Sequence, residues 1–347
     1  MQRIHFIFSG TQNAIGGGTT LWKTILADVP FPVFLHYSSF ARNIWENQTH
    51  PLVSHIIHKE WRTYENKTNH LWKESAAFNK ESISAGDIVL FDSMEAIRQL
   101  ALPLSQRGAT LLWHMQSKEH LLRKNISLIP WDFACYQKLH GILAISEFVK
   151  KRFESDPLYR LASKKIPITI LLNPINSRFQ PIKAEHNFIL YFGRYESCKN
   201  PLFLESLPYD VRYIGSTKGC SKPVAIPPNK DLGWLPPEEA ARYGDIVIFP
   251  AMGEGFGLAL VEMMSYGKIV IAFESGAFPE IIKHGWDGFL VKPFDRASVI
   301  AIIEHLRANP TLRENIIQNA LDKAKRFAPQ PYRKKFFETL ASFPPSR

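Results

Sequence analysis

Apolar residues along this chain gather into short, nearly uninterrupted runs, with longer amphipathic stretches between them. The first run, Ile4 to Phe8 (IHFIF), closes on Ser9-Gly10. Others follow at 32–35 (PVFL), 87–91 (DIVLF), 109–113 (ATLLW), 141–145 (GILAI) and 168–172 (ITILL). Runs of this length and composition read as strands covered on both faces, the habit of parallel sheets. The pattern then restarts at 188–192 (FILYF), 211–214 (VRYI), 246–249 (IVIF) and 269–272 (IVIA). Three helices have readable boundaries. One starts near Pro237, where Glu238 and Glu239 suit the positive end of a helix dipole. One follows Gly257, and one spans 297–307 and stops before Asn309-Pro310.

The restart predicts two α/β halves, each a doubly wound, Rossmann-like domain. Residues 173–187 (NPINSRFQPIKAEHN), with two prolines and no periodicity, read as the join. The expected domains are 1–178 and 183–330, with 331–347 (from PYRKKFFETL) as a helix that crosses back onto the first. Two such domains facing each other leave a cleft at the carboxyl ends of their strands, where open α/β sheets bind ligands.

The 347-residue length agrees with two domains rather than one. Hydrophobic residues at 45% and charged residues at 21% are ordinary for a globular chain. No apolar stretch reaches the ~18 residues of a membrane span. The opening MQRIHFIFSGTQ lacks the longer apolar core of a secretory signal. The three cysteines, Cys135, Cys198 and Cys220, are odd in number and form no Cys-x-x-Cys pair. A disulfide framework and a cysteine zinc site are therefore not expected, and a reducing cytoplasm is. The net charge of +10 is uneven: residues 101–182 hold twelve basic and five acidic side chains, with Lys150, Lys151, Arg152, Lys164 and Lys165 among them. Such a face suits an anionic membrane or phosphorylated groups, or is simply solvated. No nucleic-acid-binding signature accompanies it, so no nucleic-acid partner is expected.

Several segments could carry chemistry. Gly16, Gly17 and Gly18 follow the first strand, and glycine allows close backbone approach to a phosphate or sugar. The dinucleotide fingerprint is incomplete there, because Leu21 takes the place of the last glycine. A plain turn explains the loop equally well. The segment Glu254 to Glu262 (EGFGLALVE) says more. Gly255 and Gly257 break the chain before a helical pattern, so a helix beginning near Phe256 or Gly257 would turn its unpaired N–H groups toward the sheet's carboxyl end, where a diphosphate can sit. Glu254 precedes that helix and Glu262 lies inside it, separated along the axis by roughly 8 Å or more. That spacing suits a long ligand with hydroxyls at both ends. Arg194 and Lys199 follow the strand FILYF, freed by Gly193, and two fixed cations are what a departing diphosphate needs. Each such charge-assisted hydrogen bond contributes about 1.5–3 kcal/mol. His114 is expected at the end of its strand, within reach of a sugar hydroxyl. Six tryptophans in the first half (Trp22, Trp45, Trp61, Trp72, Trp113 and Trp131) line either a core or a sugar site. The remaining histidines show no metal-site spacing.

In this order along the chain, AISEFVKKRF, LLNPIN, YFGRYESCKNP, EGFGLALVE and SYGKIVIAFESGAFPEIIKHGWDGFLVKP resemble the family 4 retaining glycosyltransferases, which carry an E-x7-E element on the two-domain GT-B fold. The resemblance spans most of the second half and several points of the first. It implies that Glu254 faces the donor sugar's hydroxyls and Glu262 binds the ribose. It implies that Arg194 and Lys199 hold the diphosphate, helped by the backbone of Gly193, Gly255, Phe256, Gly257 and Leu258. His114 would sit at the donor sugar, Gly17 and Gly18 near phosphates or acceptor, and Glu280 would support the loops. The chain departs from the family at Ser275-Gly276, where two glycines are usual, and at Cys198 before the lysine.

The resemblance further implies a hexose-type transfer from a nucleotide-diphosphate sugar to a glycan or lipid-linked acceptor, with no metal and no cofactor besides the donor substrate. The expected location is the cytoplasm, peripheral to the inner face of a membrane. Three alternatives share these residues: a phosphorylase or epimerase on the same fold, a non-catalytic nucleotide-sugar-binding module, and a basic nucleic-acid binder.

Overall fold

The computed structural model describes residues 3–8, 33–38, 61–67, 71–77, 82–116, 129–162 and 164–343. The chain forms two compact units, Met1–Leu171 with Arg333–Arg347, and Leu172–Tyr332. The first unit gives way to the second after Leu171, within the run 168–172.

Among the described residues the first unit holds eight strands: β1 (Ile4–Phe8), β2 (Val33–Ser38), β3 (Trp61–Lys67), β4 (Leu71–Ala77), β5 (Ile88–Phe91), β6 (Thr110–Met115), β7 (Gly141–Ala144) and β8 (Ile168–Ile170). They pair in the order β4-β3-β2-β1-β5-β6-β7-β8. From β2 to β8 the sheet is parallel, and the apolar runs explain why. Every residue of β5, β6 and β7 is buried, so both faces of the sheet are covered. The hairpin β3–β4 was not anticipated. It adds two antiparallel strands at one edge. Four helices described here are α1 (Met94–Ser105), α2 (Ile129–Tyr136), α3 (Glu147–Glu154) and α4 (Pro157–Leu161). Ser93 caps α1 by accepting from the Ala96 N–H at 3.3 Å, and Ser146 caps α3 through the Val149 N–H at 3.1 Å.

The second unit holds β9 (Ile189–Arg194), β10 (Val211–Ser216), β11 (Ile246–Phe249), β12 (Ile269–Phe273) and β13 (Phe289–Val291), all parallel, in the order β10-β9-β11-β12-β13. Its core joins Ile189, Tyr191, Ile248, Ile271 and Phe273 with Val299 and Ile303. Its helices are α5 (Pro237–Ala240), α6 (Leu258–Ser265), α7 (Phe278–Ile281), α8 (Arg296–Ala308) and α9 (Pro310–Lys325). The helix expected at Pro237 is a single turn. Asn309-Pro310 both ends α8 and starts α9, since proline's missing N–H is harmless at a first helical position. A last helix, α10 (Pro329–Ala341), carries the chain from the second unit into the first, where Phe336 stacks on Phe6. Among the described residues no helix is long and apolar enough to cross a membrane.

Candidate functional site

The strand order of the second unit fixes where a ligand site can form. The chain leaves β9 toward β10 on one side, then returns to build β11 on the other. Loops at the carboxyl ends of β9 and β11 therefore part, and open α/β sheets bind ligands at such a switch point. Arg194 is the last residue of β9, and β11 delivers the loop 250–257 into α6.

Three contacts hold these loops together. A 3-10 turn, Ser197–Lys199, ends on Asn200 in the left-handed conformation. The Asn200 amide donates to the Pro250 carbonyl at 3.0 Å, and the Met252 N–H donates to the Cys198 carbonyl at 2.8 Å. That clamp brings the Lys199 ammonium onto the Glu254 carboxylate as an ion pair, with the two side chains 20% and 22% exposed. Arg194 is exposed, and its Nη1 donates to the Gly219 carbonyl at 3.4 Å.

The Glu254 loop is held from its other side by residues that sequence reasoning did not assign. Ser275 Oγ accepts from the Gly253 N–H at 2.9 Å, and the Ala277 N–H donates to the Glu254 carbonyl at 2.9 Å. Gly276, at φ +64, lies so close that a Cβ there would fall well inside 3 Å of the Glu254 N and O. The departure from two glycines at 275–276 thus has a physical use, since the serine supplies a hydrogen bond that glycine lacks. The second position must remain glycine. Gly257, at φ +105, turns the chain into α6, and a Cβ there would meet the Phe278 ring at 2.7 Å. The first N–H groups of α6 have no helical partners and carry the positive end of its dipole.

The Phe256 ring is buried edge-on to Phe327 at 5.6 Å, which leaves only its backbone for a ligand. Glu262 lies inside α6. The residue keeps partial exposure, but protein atoms crowd its carboxyl group, and burial pushes its pKa up to about 7. Among the described residues none donates a hydrogen bond to that carboxylate or forms an ion pair with it. A desolvated acid without compensation is a candidate ligand-binding group.

His114 departs from expectation. β6 continues past it to Met115, and its ring is fully buried, edge-on to Phe336 at 6.1 Å, instead of standing at the strand's open end. Burial lowers its pKa to about 3, so the ring is neutral at physiological pH. It belongs to the first unit, while Arg194, Lys199, Glu254 and Glu262 belong to the second. Gly17 and Gly18 lie outside the described residues. Trp113 is core, fully buried and edge-on to Phe153 at 5.6 Å. Among the described residues no group of three or more His, Cys, Asp or Glu side chains could hold a metal ion.

Residues 232–323 match the family model described as glycosyl transferases group 1. An uncharacterized glycosyltransferase of Methanocaldococcus jannaschii is 22% identical over 321 residues, covering 87% of each chain. A phosphatidyl-myo-inositol mannosyltransferase of Mycobacterium leprae is 33% identical over 220 residues, covering 58% of this chain and 57% of that one. Among solved structures, Anabaena HepE in complex with UDP and glucose superposes with a TM-score of 0.68 at 16% identity, covering 99% of this chain and 100% of that one. Sucrose-phosphate synthase of Thermosynechococcus elongatus does so with a TM-score of 0.67 at 14% identity, covering 98% of each. The chain thus has the GT-B fold of these structures, and residues 232–323, which carry β11, the Glu254 loop, α6 and the segment 275–277, are similar to the group 1 glycosyl transferases.

Proposed function

We propose that the chain is a retaining, family 4-type hexosyltransferase that takes its sugar from a nucleotide-diphosphate donor held by the second unit. The observation that carries this reading is the Lys199–Glu254 ion pair beside Arg194 at the sheet's switch point. Lys199 and Arg194 would neutralise the diphosphate as it leaves, with the N–H groups of Gly257 and Leu258 beneath it. Glu254, released from Lys199 when the diphosphate arrives, would accept hydrogen bonds from the donor sugar. Glu262 would take the ribose hydroxyls. In a front-face displacement the leaving diphosphate accepts the acceptor's proton, so the protein supplies position and charge. The solved complexes of HepE with UDP and with UDP-glucose support a nucleotide-sugar donor. A glycan or lipid-linked acceptor fits the same reading. The exposed Lys151 and Arg152 of α3, and Arg160 of α4 followed by Leu161 at 77% exposure, favour docking on an anionic membrane. Equal sedimentation with neutral and anionic liposomes would remove that last element.

The test is a thermal-shift screen against UDP, GDP, ADP, CMP and their sugar conjugates, run at pH 6 and pH 8. Binding to the folded state raises the midpoint by mass action. One nucleotide is expected to act, and Glu262→Ala to abolish its effect. The ribose needs an ionised Glu262, so below pH 7 binding must expel a proton, and affinity should fall about tenfold from pH 8 to pH 6. The same raised pKa weakens the ligand-free fold as pH climbs from the ordinary carboxylate range to about 7, since the unfolded chain ionises first. No shift from any nucleotide would sink the donor-site reading in favour of a fold without transferase activity.

A further inference from the structure

We propose that Cys198 and Cys220 form a peroxide-sensitive thiol pair that shuts the anion-binding turn of the second unit. The two lie on neighbouring segments. Residues 195–197 run antiparallel to 222–224 through a Glu196–Pro223 bridge. The Ser197 N–H donates to the Lys222 carbonyl and the Val224 N–H to the Tyr195 carbonyl, each at 2.9 Å. Cys198 is the residue after Ser197, and Cys220 is two before Lys222. Cys198 enters the 3-10 turn just past this bridge and Cys220 lies just before the paired stretch 222–224, so the two thiols flank one tied pair of segments, near enough for each to feel the other's charge.

Glu196 ties the second segment to the first. It is buried, and it accepts from the Lys222 N–H at 2.7 Å, the Ser221 N–H at 3.1 Å and the Ser221 hydroxyl at 3.0 Å. Burial acts to raise its pKa, but those donors and the Cys220 thiol outweigh it and keep the carboxylate ionised. Cys220 is half-buried, and burial, then the Glu196 carboxylate, then the Cys198 thiol push its own pKa up. Cys198 is exposed. The exposed Cys198 is the thiol an oxidant reaches first, and the half-buried Cys220 is the one placed to resolve it.

The chemistry balances with hydrogen peroxide as oxidant. The Cys198 thiolate attacks one peroxide oxygen, the O–O bond breaks, and the departing hydroxide takes up a proton to become water. The Cys220 thiol then attacks the sulfenic sulfur of Cys198, the S–OH bond breaks, the hydroxyl leaves with the thiol's proton as a second water, and the S–S bond forms. Two thiols are oxidised and one peroxide is reduced. A disulfide asks for Cα atoms about 4.4–6.8 Å apart. Residues 217–219 are exposed and turn on Gly219, around which a Cβ would find open space, so there is room for movement on one side of Cys220 while Glu196 holds Ser221 and Lys222 on the other.

The location gives the bond its effect. Cys198 precedes Lys199 in the 3-10 turn, and its carbonyl anchors Met252. Cys220 follows Gly219, whose carbonyl holds Arg194. One bond therefore pulls on the supports of both cations. The loss of nucleotide binding rests on the donor-site reading, whereas formation of the bond does not.

The experiment treats the full chain with hydrogen peroxide and maps linked peptides by mass spectrometry before and after dithiothreitol. UDP affinity, or that of whichever nucleotide shifts the midpoint, is measured alongside. A Cys198–Cys220 peptide is expected, together with an affinity loss of tenfold or more that dithiothreitol reverses. Cys198→Ser and Cys220→Ser should each keep the reduced affinity and lose the peroxide response. Absence of that peptide, or an affinity that peroxide leaves unchanged in a linked protein, overturns the proposal. If no nucleotide binds even to reduced protein, the donor-site reading fails instead, and the mapped peptide still decides whether the pair exists.

Discussion

Lys199→Ala is expected to lower kcat by about a hundredfold to a thousandfold, the range seen when a group that stabilises developing negative charge is removed. In the free protein its ammonium is committed to Glu254. The pair keeps only about a fifth of its surface in solvent, so the substitution also leaves a largely buried Glu254 carboxylate without its cation and lowers the melting midpoint. Rates are therefore compared well below that midpoint. The diphosphate is a different partner, because its charge grows as the sugar–oxygen bond breaks and the substituted site offers Arg194 alone. An interaction that strengthens toward the transition state shows in kcat more than in KM. Initial rates with the nucleotide sugar that shifts the midpoint check this. A kcat within threefold of wild type would take Lys199 out of the mechanism. Lys199→Arg should recover part of the loss, since it keeps the charge while changing its shape.

Gly276→Ala should harm both fold and activity. The new Cβ would press on the Glu254 N and O at a backbone position where φ is +64. Backbone atoms cannot swing aside as a flexible side chain does. Left-handed strain and overpacking together cost about 2–4 kcal/mol, or about 5–10 °C in the midpoint for a unit of this size. The displaced loop carries Glu254, so kcat should fall as well. Ser275→Gly is the informative companion. It removes the hydrogen bond to the Gly253 N–H, a loss of about 1 kcal/mol, with no added volume. Differential scanning calorimetry with parallel rates separates the two effects. An unperturbed midpoint in Gly276→Ala would mean that the Glu254 loop yields easily and is not clamped.

The parallel strands were legible because their cause is local. IVLF, IVIF and IVIA must be covered on both faces, and the structure covers them. The hairpin β3–β4 was not, since WRTYENK and LWKESAA carry charges that an edge position tolerates and a central strand would not. β13 escaped notice because FLV is only three residues long. At the site, Arg194, Lys199, Glu254 and Glu262 stood out by chemistry and by their place after strands. Their supports did not. Ser275 acts across 22 positions of sequence on Gly253, and Asn200 acts across 50 on Pro250. Such contacts depend on register and loop closure, which no local pattern records. The burial of His114 was missed because β6 runs past it to Met115, instead of ending at the apolar run ATLLW.

The path of α10 bears on how the chain is made. Phe336 stacks on Phe6, and Phe343 occupies the space over Gly141, where any Cβ would collide with its ring. The first unit thus borrows its last pieces from beyond Tyr332, whereas the second is contiguous from Leu172. At a ribosomal pace of about 5–20 residues per second, roughly 10–30 s separate Leu171 from Phe343. During that interval the half made first stays open along Gly141 and β1, and the half made second can close on its own. The molecule is therefore completed out of order, its amino-terminal half sealed last, and an exposed sheet during synthesis is the surface that a chaperone would have to guard.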